Sequence, residues 1–205
     1  MLDALQPLFA PAFALWGAPV TWLEIVAFVL AVAMVVFNIR VNPVAWPLAI
    51  TSSLLYFALF RDSRLYGEAS LQLVFVAIAA WGWWQWLAGK AADGTPLRVH
   101  WLSPRGRRHT LLAFVTAWLA TGLFLRHFTD SDVPWWDAFP TAGSLIGQWL
   151  LGRKYVENWP TWIVVNTVSV GLFAYKGLWL TGLLYALFIA MSFVGWREWR
   201  QLART

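Results

Sequence analysis

The residues best suited to bind a ligand are uncharged polar and aromatic side chains that lie inside long apolar stretches. Trp162 and Asn166 are four residues apart, so in a helix they share one face and can contact the same molecule. An indole ring stacks on planar rings and attracts delocalised cations, and an amide offers both a donor and an acceptor to sugar hydroxyls. The other candidate substrate-binding residues are Gln148, Tyr56, Ser53, Gln72 and Trp46.

The same residue types also have a packing role in membranes. Asn and Gln amides often bridge two membrane helices without touching a ligand. For Asn166 and Gln148 the ligand and packing interpretations therefore stay equally open. For Tyr56, Ser53 and Gln72 the sequence favours packing over ligand binding.

Charged residues are missing from the middle of every apolar stretch. Buried charges in membranes usually mark proton relays or ion sites, and a phosphate needs a basic partner. The chain has no cysteine, and His100, His109 and His127 lie outside the apolar stretches. We therefore predict no metal, no cofactor and no enzymatic activity, and the pattern favours facilitated diffusion of a neutral or softly cationic molecule.

The composition indicates the elements that must position these residues. Of the 205 residues, 60% are hydrophobic and 12% are charged, whereas soluble domains are about 25% charged. A membrane-spanning helix needs about 20 mostly apolar residues. Seven stretches qualify or nearly do: Val20–Phe37, Val44–Phe60, Glu68–Ala88, Thr110–Leu125, Ala138–Leu151, Thr161–Tyr175 and Leu178–Trp196. The prediction is an all-α membrane protein with seven transmembrane helices.

Basic residues are distributed unevenly over the two sides of the predicted membrane. One side holds Arg40, Lys90, Arg98, Arg105, Arg107, Arg108, Arg153, Lys154, Arg197, Arg200 and Arg204. The other holds Arg61, Arg64, Arg126 and Lys176. Because cytoplasmic loops are enriched in Lys and Arg, we expect a cytoplasmic C-terminus and an external N-terminus. This placement explains the net charge of +5 better than nucleic-acid binding does, so no nucleic-acid partner is predicted.

The chain resembles itself at an offset of 113 residues without a gap. Fourteen of the 65 positions between Trp22–Trp86 and Trp135–Trp199 are identical. Each copy contains three helices, so one unmatched helix must return the chain before the second copy starts. We predict a 3+1+3 parallel repeat. Its segments are an N-terminal interfacial segment (1–19), a first repeat (20–88), a cytoplasmic basic loop (89–109), a linker helix (110–127), a second repeat (134–199) and a cytoplasmic tail (200–205).

A Gly-Trp-x-x-Trp motif ends both copies of the repeat. Its four tryptophans are Trp83, Trp86, Trp196 and Trp199. Tryptophan is enriched where the membrane meets water, so anchoring at that interface is the simpler interpretation. An inner gate that is formed by the repeated motif is the functional alternative.

The motifs of this chain resemble those of the PnuC vitamin transporters. Arg153–Trp159 and Trp162–Asn166 look like the family's second-half signature, and Leu65–Gly67 and Gly82–Trp86 look like its first-half elements. The resemblance covers nearly the whole chain. It implies a full-length SWEET-like fold, a homotrimer in membrane lipids, and uptake of nicotinamide riboside by facilitated diffusion. A cytoplasmic kinase would then trap the product by phosphorylation.

The resemblance also implies residue roles. The family's Trp-x-x-x-Asn pattern falls on Trp162 and Asn166, and its glutamine falls on Gln148. Related members carry thiamine, riboflavin or nucleosides, and these stay open as alternative vitamin substrates. The second stretch lacks a Gly-x-x-Asn arrangement of some nicotinamide riboside carriers, and Ser53 stands where their amide would be. A membrane enzyme and a vitamin sensor that does not transport are the other classes considered.

Overall fold

Seven helices contain the apolar stretches. The computed structural model describes residues 7–15, 18–62, 66–91, 94–175 and 179–204. The helices are α1 (Trp22–Ile39), α2 (Ala45–Asp62), α3 (Tyr66–Ala88), α4 (Pro104–Phe128), α5 (Pro134–Gly152), α6 (Asn158–Tyr175) and α7 (Trp179–Leu202). The predicted helical fold is thereby confirmed. The chain forms two compact units, residues 1–84 and 85–205.

α4 and α5 begin before the predicted apolar stretches, because prolines, and for α4 also a side-chain cap, determine their first turns. α4 begins six residues before the predicted Thr110, since the Ser103 hydroxyl accepts a hydrogen bond from Gly106 N at 3.0 Å and Pro104 occupies the first turn. α5 likewise begins at Pro134 and not at Ala138. The predicted fifth and sixth stretches were therefore too short.

An antiparallel hairpin precedes α1. β1 (Pro11–Leu15) pairs with β2 (Ala18–Thr21), where the sequence predicted only an interfacial segment. Residues 1–6, 16 and 17 of that segment lie outside the described residues. Thr21 and Glu24 then form a capping box, in which Thr21 N donates to Glu24 Oε2 at 2.7 Å and Glu24 N donates to Thr21 Oγ1 at 3.2 Å. The hairpin thus leads directly into the first helix.

Three helices are long and apolar enough to cross a membrane by length and composition, within the described ranges. They cover Trp22–Ile39, Leu71–Ala88 and Pro104–Phe128, and Ala45–Ala58 is a shorter apolar helix. α6 is less apolar because it carries Asn158, Asn166 and several hydroxyl residues. Neither α5 nor α6, which carry the second-half candidate residues, is among the three helices found within the described ranges.

The helix bounds repeat at the offset that the sequence indicates. α2 spans residues 45–62 and α6 spans 158–175, which differ by 113 residues at both ends. The turns before them match as well, because Val41 and Lys154 both have positive φ, at 52° and 57°. Their amides donate to the carbonyl oxygens three residues earlier, at 3.1 Å and 2.9 Å respectively. In chain order, α4 comes between α1–α3 and α5–α7.

Each set of helices contains a buried tryptophan that packs on a glycine. A Cβ placed on Gly82 would lie 2.3 Å from the Trp46 ring, and a Cβ placed on Gly195 would lie 2.5 Å from the Trp159 ring. Both indoles are only 2% exposed. Trp46 and Gly82 precede Trp159 and Gly195 by 113 residues, so the same contact occurs once in each unit.

Candidate functional site

Two glycines of α5 bring α6 close enough to position the predicted ligand residues. A Cβ on Gly143 would lie 2.4 Å from Val165 Cγ2, and a Cβ on Gly147 would lie 3.0 Å from Trp162 Cε2. These glycines form a Gly-x-x-x-Gly pattern, which allows close packing of membrane helices. The sequence analysis did not single out Gly143 or Gly147, although this pattern would have identified them.

The two candidate amides lie on the same pair of helices as Trp162. Asn166 is buried with 4% of its surface exposed, one turn after Trp162 on α6. Gln148 follows Gly147 directly on α5, and its Oε1 is buried with no hydrogen-bond donor among the described residues. An unpaired buried acceptor costs about 1–3 kcal/mol, so a ligand that donates to Gln148 Oε1 would recover that cost.

Charge is nearly absent from the helices that carry these groups. α6 has no charged residue, and the single charged residue of α5 is Asp137 in its first turn. Asp137 accepts a short hydrogen bond from the Ser131 hydroxyl, so its carboxylate is engaged at the helix start. The α5–α6 pair therefore offers an aromatic ring and two amides, which suits a ligand that combines a planar ring with hydroxyl groups.

The first-half candidates lie in the unit formed by residues 1–84. Ser53 and Tyr56 are half-buried on α2, and Gln72 is half-buried on α3. Trp46 is buried over Gly82, as described above, which agrees with a packing role. A ligand contact for these four residues stays a prediction.

The repeat places different residue types at equivalent positions of the two units. Subtraction of 113 from Trp162 and Asn166 gives Ala49 and Ser53, which are small residues on α2. The same operation on Gln148 gives Val35 on α1. The ring and the amides are therefore concentrated in the second unit.

Two of the four predicted gate residues, Trp86 and Trp199, form one buried cluster with Trp159. The Trp86 and Trp199 ring centroids are 6.1 Å apart, and Trp199 meets Trp159 edge to face at 5.6 Å. Trp86 Nε1 also donates to the Leu151 carbonyl oxygen at 3.1 Å. The other two predicted gate residues differ, since Trp83 is exposed and Trp196 is half-buried. A gating role for any of the four stays a prediction.

Two basic residues of the turn between α5 and α6 form hydrogen bonds beside this tryptophan cluster. Arg153 Nη1 donates to Gln85 Oε1 at 3.0 Å. Lys154 Nζ donates to the Leu97 carbonyl oxygen at 3.0 Å and lies 5.2 Å from the centre of the Trp86 ring. Burial lowers the pKa of the Lys154 ammonium. Both cations are engaged by protein groups here.

Glu157 fixes the segment between α3 and α4, a role that the sequence analysis missed. Its carboxylate accepts from Leu102 N at 3.1 Å and pairs with Arg107 Nε at 2.9 Å. Beside it, His100 N donates to Lys154 O at 3.1 Å. The equivalent first-half position of Glu157 is Val44, so this attachment belongs to the second unit alone.

We expect Glu157→Ala to loosen residues 97–103 without unfolding the helices. The variant removes both the acceptor of Leu102 N and the partner of Arg107. The rate of amide hydrogen exchange in this segment should rise at least about tenfold, because local opening no longer has to break a charge-assisted hydrogen bond. The control is Glu198→Ala, which removes an exposed carboxylate from α7. Equal exchange in both variants contradicts the assigned role.

Comparisons with known proteins identify the family of this chain. A family model described as nicotinamide mononucleotide transporter matches residues 21–201. The riboflavin/roseoflavin transporter RibM of Streptomyces davaonensis is 31% identical over 191 residues, which cover 92% of this chain and 89% of RibM. The nicotinamide riboside transporter PnuC of Escherichia coli is 26% identical over 174 residues, 73% of each chain.

A solved structure agrees as well. The crystal structure of the vitamin B3 transporter PnuC is similar with a TM-score of 0.72 and 26% identity, covering 89% of this chain and 82% of that one. These relatives are transporters and not enzymes, so the predicted absence of enzymatic activity and the resemblance to PnuC are both confirmed. The chain therefore belongs to the nicotinamide mononucleotide transporter family, as a multi-pass inner-membrane transporter of the PnuC type.

Proposed function

We propose that this transporter carries nicotinamide riboside by facilitated diffusion. The observation that carries the proposal is the contact of Gly147 with Trp162 on a pair of helices whose single charge is Asp137 and which also carry the buried Asn166 and Gln148 Oε1. Nicotinamide riboside combines a cationic ring, which an indole attracts, with ribose hydroxyls, which amides bind. Its chemistry matches the groups present.

The riboside suits this pair of helices better than the phosphorylated mononucleotide in the family's description. A phosphate carries up to two charges and is bound by Arg or Lys. α6 has no basic residue, and Arg153 and Lys154 beyond the end of α5 are bound to Gln85 and Leu97. A substrate without phosphate requires no basic partner.

Several finer features belong to the same proposal. The transporter would run without an ion gradient, and a cytoplasmic kinase would trap the riboside by phosphorylation. The N-terminus would face outwards and the C-terminus the cytoplasm. The 3+1+3 arrangement is supported by the 113-residue offset between α1–α3 and α5–α7. The homotrimer and the SWEET-like assembly rest on the resemblance to PnuC transporters.

Riboflavin is the second candidate, because the riboflavin transporter RibM is 31% identical over 92% of this chain. Its flat ring system would also stack on an indole, and its ribityl chain carries hydroxyls for the amides. At the positions equivalent to Trp162 and Asn166, the first unit has the smaller residues Ala49 and Ser53.

Thermal-shift titrations of the purified transporter distinguish the substrates. A ligand of the folded state raises the apparent melting temperature by mass action, so nicotinamide riboside at about 100 times its Kd should stabilise by about 2.7 kcal/mol. Riboflavin, thiamine, a nucleoside and nicotinamide mononucleotide are titrated in parallel. If only riboflavin raises the melting temperature, riboflavin and not nicotinamide riboside is the substrate. If nicotinamide mononucleotide raises it, the argument from charge is contradicted.

Uptake into proteoliposomes tests the mechanism. Radiolabelled substrate should equilibrate across the membrane and stop at equal concentrations, with or without ionophores that collapse proton and sodium gradients. Accumulation above the external concentration in empty liposomes would contradict facilitated diffusion. Binding without any uptake would support the sensor alternative instead.

A further inference from the structure

The end of α7 carries three arginines beside a small cavity. Arg197 and Arg200 lie on the last turns of α7, Arg204 lies in the turn that follows Leu202, and all three are exposed. Together with Phe193, Trp196 and Gln201 they line a cavity of about 230 Å³. A water molecule takes up about 30 Å³ in the liquid, so the cavity admits a group several times larger.

The polar groups that line this cavity are almost all hydrogen-bond donors. None of the three arginines pairs with a carboxylate in the part of the chain that the structure describes. Trp196 Nε1 is buried and has no acceptor among the same residues. Arg200 lies 5.4 Å from the centre of the Trp196 ring, which holds its guanidinium beside that indole. Because these donors have no acceptor among the described residues, the cavity is suited to bind an anion.

The general roles of basic residues at helix C-termini and in cytoplasmic segments do not account for the unpaired Trp196 Nε1 beside these arginines. Basic residues near a helix C-terminus do favour the helix dipole, which explains one or two arginines there. The first repeat, however, ends with the same Gly-Trp-x-x-Trp motif and has Trp84, Leu87 and Ala91 at the positions equivalent to the three arginines. The repeated fold therefore does not require them, and the buried unpaired Nε1 of Trp196 remains to be explained.

We propose that the end of α7 binds the phosphate headgroup of an acidic membrane lipid. Arginine binds phosphate through paired N–H donors, and basic pockets beside membrane helices bind anionic lipid headgroups. Phe193 lies one turn before Trp196, on the membrane side of the arginines, and is 51% exposed. The headgroup would contact the guanidinium groups and Trp196 Nε1, while the acyl chains would lie along Phe193.

Native mass spectrometry of the purified full-length protein tests this proposal. Dioleoylphosphatidylglycerol is titrated against dioleoylphosphatidylcholine, and we expect the first phosphatidylglycerol to bind at least about tenfold more tightly. The variant R197Q/R200Q/R204Q should lose that preference. Trp196→Phe keeps a ring but removes the N–H donor, and it should weaken phosphatidylglycerol binding by about threefold or more.

The matched control removes the same charge elsewhere. R98Q/R105Q/R108Q replaces three other exposed arginines, and it should keep lipid preference within about twofold of the parent protein. Equal loss in both triple variants would mean that total charge and not this cavity attracts the lipid. Full displacement of phosphatidylglycerol by millimolar inorganic phosphate would assign the cavity to a free anion. Either result overturns the proposal.

Discussion

Asn166→Ala should raise the Kd for nicotinamide riboside by about tenfold to a hundredfold while the protein stays folded. The amide is 4% exposed and lies one turn from Trp162. A buried polar group of the ligand that loses its partner costs about 1–3 kcal/mol, and about 1.4 kcal/mol corresponds to a factor of ten in affinity. Isothermal titration calorimetry on the detergent-solubilised variant measures the change.

Trp162→Ala should weaken binding to a similar extent for a different reason. The substitution removes the ring that would stack on the nicotinamide, whereas Trp162→Phe keeps a smaller ring and should have an intermediate effect. A neutral nicotinamide analogue separates the two parts of the interaction, because it retains stacking and loses the attraction to a cation. The parent protein should bind that analogue more weakly than nicotinamide riboside.

The control for both substitutions is Val164→Ala, an exposed position on the same helix. It should leave Kd within about twofold of the parent value. If Asn166→Ala and Trp162→Ala also bind with the parent affinity, the ligand site lies elsewhere. If they bind poorly but also lose the monodisperse peak in size-exclusion chromatography, Asn166→Asp and Trp162→Phe replace them. The first keeps the size of the side chain and the second keeps an aromatic ring, and both should still lower affinity.

The helices could be predicted from the sequence because each contains a long apolar stretch. Their ends could not, since the first turns of α4 and α5 are determined by Ser103, Pro104 and Pro134, which lie outside the apolar residues. The hairpin β1–β2 was missed for a similar reason. Five-residue and four-residue strands interrupted by prolines give no clear alternation.

The candidate site was only partly predictable. The spacing of Trp162 and Asn166 indicates a shared face of α6, but it does not indicate which helix packs against that face. The contacts of Gly143 and Gly147 show that the helix packed against α6 is α5, which also carries Gln148. The hydrogen bonds from Leu102 and Arg107 to Glu157 link residues 50 or more positions apart. Pairings at such separations depend on the fold and not on local spacing.

The matched tryptophan and glycine positions could be predicted more fully, because they recur in the sequence at one offset. The sequence alone aligns Trp46 with Trp159 and Gly82 with Gly195. The structure adds the reason for the match, since each glycine provides the space that its tryptophan occupies. The alanines, serines and valines between them differ because any residue of suitable size packs there.

Gly195→Ala should destabilise the transporter more than any other single methyl addition in α7. The new Cβ would lie 2.5 Å from Trp159, and that indole is enclosed by Trp199 at 5.6 Å and is 2% exposed. Overpacking of a core costs about 1–3 kcal/mol or more. For a chain of this size we expect the melting temperature to fall by about 5–10 °C. Gly82→Ala should behave alike, because its Cβ would lie 2.3 Å from Trp46.

Gly182→Ala on the same helix is the matched control for these variants. Its Cβ would have no neighbour closer than 3.9 Å, and alanine favours a helix by about 1 kcal/mol over glycine. It should therefore leave the melting temperature unchanged or raise it. Trp159→Phe should restore part of the stability of Gly195→Ala, since the smaller ring makes room for the methyl group. If both glycine variants have the melting temperature of the control, the close contact does not stabilise the fold. If the melting temperature of only one variant is lowered, the two units do not use the repeated motif in the same way.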